Sequence, residues 1–508
     1  QTTLLYGDLM AKLNKSWDDF SLNAAIGTSI TDTRTSALRL DSKTASLYYP
    51  NVFTIANINM SSSAYIEEPD DARRQMQSFF AMAQLGYKES LYLDVTARND
   101  WSSTLAFTER KSRGFFYPSV GLSWIIPKSF SMPSLISFGK VRASWSKVGN
   151  DIPLFVSNTV GHIAAGGIPQ PNDTAPFGTL KPEMSSSFEI GTEWKFFDYR
   201  MDVDLTFYKT NTKNQLFSLP SSAGAAYKYY FVNAGNIQNM GVELTLGAVP
   251  ILTNQFKWNT TLNFSRNKNE VKKLHDDLAS FIQGDEGFSS SYTMRLVEGG
   301  SFGDIYGKAF ERDKYGAIVY GRDGLPQEIG SGNTAKVGNC NPAFLLGWGN
   351  SFTYKDFSFY FLIDGHFGGD VLAQTQAVLD QTGVSKVSGE TRTMGYVDLE
   401  GHHIYNIKGF YEQVGGRNGV TEYYMYDATN IRLRELSLGY TLPKRLLGRK
   451  QFVKKAELSF VARNLFFIYK KAPFDPDAVL SASNSNQGID IFGIPTTRSV
   501  GFNVKLSF

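Results

Sequence analysis

Hydrophobic and polar side chains alternate along most of this chain with a period of two. That spacing belongs to a strand with one face toward an apolar medium and the other toward water. The last residues carry it most plainly: Val500, Phe502, Val504, Leu506 and Phe508 share one face, and Gly501, Asn503, Lys505 and Ser507 the other. The pattern recurs in paired segments. Phe188, Ile190, Thr192, Trp194 and Phe196 oppose Glu189, Glu193 and Lys195; after a turn at Asp198, Met201, Val203, Leu205 and Phe207 oppose Asp202, Asp204 and Thr206. Phe344, Leu346, Trp348 and Phe352 turn at Lys355-Asp356 into Phe357, Phe359, Phe361 and Ile363. Between Leu433 and Leu436 the apolar parity slips by one residue, which predicts a β-bulge. A chain that ends on an amphipathic strand leaves a sticky edge unless the sheet closes.

Two kinds of connection alternate. Short turns are predicted at 16–19, 88–89, 127–137, 197–198, 249–255, 355–356 and 443–454. Longer, mostly Gly/Ser/Asn/Asp-rich connections are predicted at 31–74, 100–113, 150–182, 212–235, 269–342, 368–427 and 467–494. Short turns on the periplasmic side and long loops outside are the habit of outer-membrane barrels. A strand of about ten residues tilted about 45° covers roughly 24 Å, the height of their apolar band. The expected fold class is therefore all-β, a transmembrane antiparallel β-barrel, with about fifteen strands in this chain. An odd count does not suit a barrel with both ends in the periplasm, so further strands are expected before residue 1. Leu205, Phe207, Leu244, Phe359, Phe361, Phe502 and Leu506 are expected to face lipid. Trp17, Tyr87, Trp101, Trp194 and Phe508 at strand ends are expected in the interfacial aromatic girdles.

Composition agrees. Among 508 residues there are 38 Phe and 26 Tyr, yet hydrophobic residues total only 42%. Mean hydropathy is -0.24, as expected when apolar surface sits on every second residue. No apolar run reaches the length of a transmembrane helix. The net charge of +3 gives no nucleic-acid signal. The one basic cluster, Lys444, Arg445, Arg449, Lys450, Lys454 and Lys455, falls in a predicted turn. The single cysteine, Cys340, allows no internal disulfide. Gln1 to Tyr6 has neither a basic nor an apolar signal region, so a secretory signal is expected to have been cleaved or to lie outside this chain.

No catalytic constellation is evident, and no enzyme activity, cofactor or metal is expected. His402 and His403 are adjacent on a segment read as extended, where neighbouring side chains point apart and rarely share a metal. Gly299 to Gly303 lacks the Lys and Ser/Thr of a phosphate loop and reads as a turn. Asp313 to Gly324 lacks the closing Glu of a calcium loop. Asp475-Pro476-Asp477 reads as a proline turn, with cation coordination as the alternative. Ligand contacts are sought among loop aromatics, because sugar rings stack on them and nearby Asp, Asn and Arg hydrogen-bond hydroxyls. The substrate-binding candidates are Tyr229, Tyr230, Phe281, Phe288, Tyr292, Tyr405, Tyr423 and Tyr424, with Tyr227 and Phe231 beside them. Loop packing or the docking of a partner lid is the alternative role for each. Connections 269–342 and 368–427 carry aromatics that disordered tracts mostly lack, so ordered extracellular loops are expected there.

Five motifs, in order, resemble SusC-like (SusC/RagA) TonB-dependent transporters of the Bacteroidetes outer membrane. They are Leu93-Asp94-Val95-Thr96-Ala97-Arg98-Asn99-Asp100-Trp101-Ser102-Ser103, Phe138-Gly139-Lys140-Val141-Arg142-Ala143-Ser144-Trp145, Asn236-Ile237-Gln238-Asn239-Met240-Gly241-Val242-Glu243, the run Asn430 to Tyr440, and Arg463-Asn464-Leu465 followed by Asp475-Pro476-Asp477. The resemblance covers essentially the whole chain. It implies the C-terminal part of a barrel of about twenty-two strands, with the N-terminal plug, the TonB-contacting segment and the first strands missing from this chain. It also implies an active importer of oligosaccharides or oligopeptides in the bacterial outer membrane. The implied partners are a SusD-like lipoprotein lid, TonB-ExbB-ExbD acting through the plug, the missing N-terminal barrel portion and outer-membrane lipid, in a dimer of SusC-SusD pairs. A passive outer-membrane pore or a surface-binding barrel remains the alternative.

Overall fold

Fifteen strands pair in the order of the chain to make one sheet. They are β1 (Thr2–Trp17), β2 (Phe20–Thr35), β3 (Ala72–Tyr87), β4 (Leu91–Ser102), β5 (Gly114–Ile125), β6 (Ile136–Asn150), β7 (Glu183–Phe196), β8 (Met201–Pro220), β9 (Tyr229–Leu252), β10 (Phe256–Lys273), β11 (Phe344–Tyr354), β12 (Phe357–Phe367), β13 (Asn430–Thr441), β14 (Lys455–Lys470) and β15 (Ser499–Ser507). The computed structural model describes residues 1–42, 45–60, 65–67, 72–108, 114–157, 161–164, 168–170, 172–177, 180–221, 224–275, 279–282, 291–330, 334–447, 452–479 and 486–508. The strand count equals the number expected from the alternation. The chain divides into one unit of residues 1–130, 141–190 and 210–236, and a second of 131–140, 191–209 and 237–508.

In the first unit, antiparallel partners share a face, so the register displays the two surfaces directly. Leu22, Leu85, Leu93 and Leu122 form one row across β2 to β5. One residue along, Asn23, Gln84 and Asp94 form a polar row on the other face, joined by hydrogen bonds of 3.4 and 2.8 Å. At the turn end, Trp17, Phe20, Tyr87, Leu91 and Trp124 make an aromatic-rich band on the apolar face. Trp101 lies at the far end of β4 on that same face.

The second unit repeats the arrangement. Trp258, Phe352, Phe359, Leu438, Phe460 and Phe502 line up across β10 to β15. Beside them run Lys257, Thr353, Ser358, Gly439, Ser459 and Asn503 on the opposite face. The expected bulge is present in β13. The register shifts against both neighbours, so that Leu433 and Leu436 stay on the apolar face while Arg432 and Glu435 remain on the polar one. Arg434 is the extra residue. Gly139 admits the Trp194 ring, since a Cβ there would meet the ring at 2.6 Å.

One boundary differs from expectation. The span 212–235, predicted as a long loop, is mostly strand: β8 runs on to Pro220, β9 begins at Tyr229, and the connection shrinks to 221–228. Polar and apolar residues are mixed on both faces there, which hides the alternation. Cross-strand bonds hold the extension instead, with Asn211 donating to Asn236 at 3.0 Å and the Asn233 side chain to the Asn214 carbonyl at 2.9 Å. Arg449 and Lys450 of the basic cluster lie outside the described residues.

Placing Arg at Phe361, in the middle of the apolar face, should cost roughly 2–4 kcal/mol, and Tyr360→Arg on the polar face under about 1 kcal/mol. Urea unfolding in lipid vesicles reads both; equal costs would remove the face assignment, and a larger cost at Tyr360 would reverse it.

Candidate functional site

The long connections fold into a core of their own in the second unit. After β10, the strands Ser280–Ile282, Tyr292–Val297, Asp304–Gly307 and Ala335–Asn339 form a small sheet. After β12 come the strand Asp370–Ala373 and the helices α1 (Gln374–Gln381), α2 (Lys386–Met394) and α3 (Ile407–Val414). Strict alternation buries Tyr292, Met294 and Leu296. Phe410, Tyr411 and Val414 face inward from α3 at helical spacing. Asn406 caps that helix by accepting from the Gly409 N–H at 3.0 Å, and Ser385 caps α2 from the Ser388 N–H at 3.0 Å. Tyr292, Ile305, Leu372, Phe410, Tyr424 and Ile489 meet in one apolar cluster, so three separate connections share it. The described residues of these connections form strands, helices and a shared core.

The cluster corrects part of the candidate list. Tyr292 is 2% exposed and Tyr424 1% exposed, so neither ring has a face free to stack on a ligand. Their apolar bodies fill the loop core beside aliphatic residues such as Ile305, Leu372 and Ile489. Tyr423 is half-buried, edge-on to Phe410 and Tyr424. Phe281 is half-buried on its strand. Phe288 lies outside the described residues. Tyr229 and Tyr230 are exposed, but on β9 rather than in a loop. Tyr405 stands out at 75% exposed.

Tyr405 borders an open cleft of about 600 Å³ between α1, α2 and α3, lined also by Asp380, Arg392, Asn406, Lys408, Tyr411 and Glu412. Its lining carries both signs of charge and an aromatic face. Burial pushes the Asp380 carboxyl up, while hydrogen bonds including one from Ser385 oppose the shift. His402 and His403 point apart, as adjacent strand residues do. The first packs on Tyr320 at 4.0 Å and the second on Tyr396 at 4.0 Å. Gly299 to Gly303 is a turn strapped to β10: the Val271 N–H donates to Gly300 and the Gly299 N–H to the Val271 carbonyl, each at 2.8 Å.

A second assembly lies outside the substrate-binding candidates. Arg432, fully buried, donates through Nη2 to Asp475 Oδ1 at 2.8 Å and forms an ion pair with Asp477 Oδ2 at 3.0 Å. Its Nη1 donates to Thr496 Oγ1 at 3.1 Å, and its guanidinium lies 4.1 Å from the Phe467 ring centre. Arg434 bonds Asp364 at 2.5 Å and Asn464 at 3.1 Å. The Asp475-Pro476-Asp477 turn thus receives the Arg432 guanidinium. The signal was present in two motifs, but only the bulge and the fold bring them together. Burial pushes the Asp475 carboxyl up; hydrogen bonds from Thr496 and the Asp477 N–H, with the Arg432 charge, outweigh it and hold the group below its ordinary value.

Comparison with known proteins follows from this geometry. Residues 1–465 match the profile of the family described as TonB dependent receptor-like, beta-barrel. The chain is 26% identical over 489 residues to TonB-dependent receptor P3 of Formosa agariphila, covering 88% of this chain and 47% of that protein. It is 22% identical over 491 residues to TonB-dependent receptor SusC of Bacteroides thetaiotaomicron, covering 88% and 46%. The chain therefore spans about half the length of these relatives. Among solved structures, it superposes on a chain of the RagAB peptide importer in its closed-closed state with a TM-score of 0.78. That match has 17% identity and covers 100% of this chain and 56% of the other.

Two outcomes are expected. Phe410→Ala should destabilise the loop core by about 3–5 kcal/mol, whereas Tyr405→Ala should change it by less than about 0.5 kcal/mol. Chemical denaturation monitored by near-UV circular dichroism separates them. Because folding lowers the Asp475 pKa, its stabilisation is present above the unfolded value and is lost as pH falls through the folded one. Hydrogen exchange of residues 471–479, corrected for intrinsic rates, should be constant from about pH 7 to pH 5 and quicken below about pH 4.

Proposed function

The chain belongs to the TonB-dependent receptor-like β-barrel family of the bacterial outer membrane, and we propose that it forms the C-terminal wall and loop portion of an active importer. The barrel would be completed by the plug and the first strands, which its relatives' greater length leaves room for. TonB-ExbB-ExbD would act through that plug. A SusD-like lipoprotein would cover the loops, and two such pairs would associate. The cargo would be oligopeptides or oligosaccharides too large for porins. The mixed charges around Tyr405 favour peptides, because Arg392 and Lys408 suit a free carboxylate and Glu412 a free amine.

The observation that carries the lid reading is the inverted polarity of α2. Ser388 and Thr391 are buried, while Val387 and Met394, on one helical side, face solvent with Val384 nearby in sequence. A helix that turns its apolar residues outward suits a protein partner. Tyr229, Tyr230 and Tyr405 are proposed as ligand contacts from their exposure, with half-buried Phe281 and Tyr423 as secondary candidates.

The paired substitution Val387→Asp and Met394→Asp should lower co-purification of the surface lipoprotein on the order of tenfold while the barrel still assembles. Undiminished co-purification would move the lid elsewhere. Uptake of labelled oligopeptides should vanish when TonB is deleted. Uptake that survives the deletion would favour the passive pore, and uptake of oligosaccharides alone would reject the peptide assignment.

A further inference from the structure

Residues 475 and 496 meet at one side chain. Asp475 and Thr496 both bind Arg432 of β13, and Thr496 also donates to Asp475. One side chain therefore ties together two points of the connection that are far apart along the chain. Its described far part enters the loop core. Ile489, fully buried, pairs in parallel with Leu372, and Asp490 with Ala373. The Leu372 N–H donates to the Gly488 carbonyl at 2.8 Å, and the Tyr292 hydroxyl donates to Asn486 at 3.2 Å.

We propose that Arg432 is a clasp at the neck of this connection, and that the sheet uses it to hold the strand Ile489–Asp490 in the loop core. The inference is independent of what the protein transports. Three features support it. Arg432 is the buried member, so the connection is held from inside the wall. Its fork bonds Asp475 and Thr496 and pairs with Asp477 at once, which the point charge of Lys cannot reproduce. Stacking on Phe467 of β14 keeps the guanidinium aimed at the neck. Arg434 assists from the bulge by bonding Asp364 of β12, and it reaches Asp477 at 3.5 Å. When the clasp opens, the neck widens, the parallel pairing at Leu372 and Ala373 loses its anchor, and the loop core loosens while the strands stay paired.

Hydrogen exchange on the intact purified protein at neutral pH tests this with two variants, Arg432→Lys and the double change Asp475→Asn with Asp477→Asn. Both should speed exchange at residues 486–491 and at Asp370–Ala373 on the order of tenfold or more, with β13 and β14 within about twofold of wild type. Unchanged exchange at 486–491 and 370–373 in both variants would overturn the clasp. So would equal acceleration of β13 and β14, since Arg432 would then serve only the sheet's own stability. If Arg432→Lys fails to assemble, the double variant decides alone, because it alters the connection and leaves the strands intact.

Discussion

Backbone pairing between neighbouring strands is the constraint on which everything else here depends. In a lipid environment each strand N–H and C=O must find its partner on an adjacent strand, because no water is available to satisfy it. Pairing in chain order satisfies this locally, and side-chain polarity then follows from the period of the strand. Rows such as Trp258, Phe352, Phe359, Leu438, Phe460 and Phe502 exist because the register brings every second residue of six strands to one face. A one-residue slip anywhere would turn that row toward the polar side.

The bulge in β13 is where the constraint is locally relaxed. One extra residue leaves Leu433 and Leu436 on the apolar side, yet places Arg432, Arg434 and Glu435 where each meets an acid or a cation. Arg432 meets Asp475 and Asp477, Arg434 meets Asp364, and Glu435 meets Arg463 at 3.1 Å. A regular strand of the same length would have turned one of these charges into the apolar face. Burying Arg432 is tolerable only because its fork is largely matched by acceptors and its flat face by Phe467. The last connection is thus tied to the wall by the same residue that the bulge aims.

The loops obey different rules from the sheet. Their aromatics divide between packing and exposure, and burial separates the two. Tyr292 and Tyr424 fill a core assembled from three connections, whereas Tyr405 remains outside it beside charged residues of both signs. Helix α2 buries Ser388 and Thr391 and leaves Val387 and Met394 in solvent, the reverse of a helix packed only within its own chain.

The period of two, the turn chemistry and the parity slip near Leu433 were local properties, and the sequence alone determined the strands, their number, their faces and the bulge. The five motifs identified the family for the same reason, since each is a short contiguous run. The ends of β8 and β9 were not legible, because polar and apolar residues are mixed on both faces and erase the alternation that marks a strand. The fate of the loop aromatics was decided only in three dimensions. Tyr292, Phe410, Tyr424 and Ile489 come from three connections, and nothing in the neighbourhood of any one of them signals that the others will cover it. Arg432 is the sharpest case. Its partners lie 43 to 64 residues away, so its role depends on contacts that only the folded register and the returning connection create.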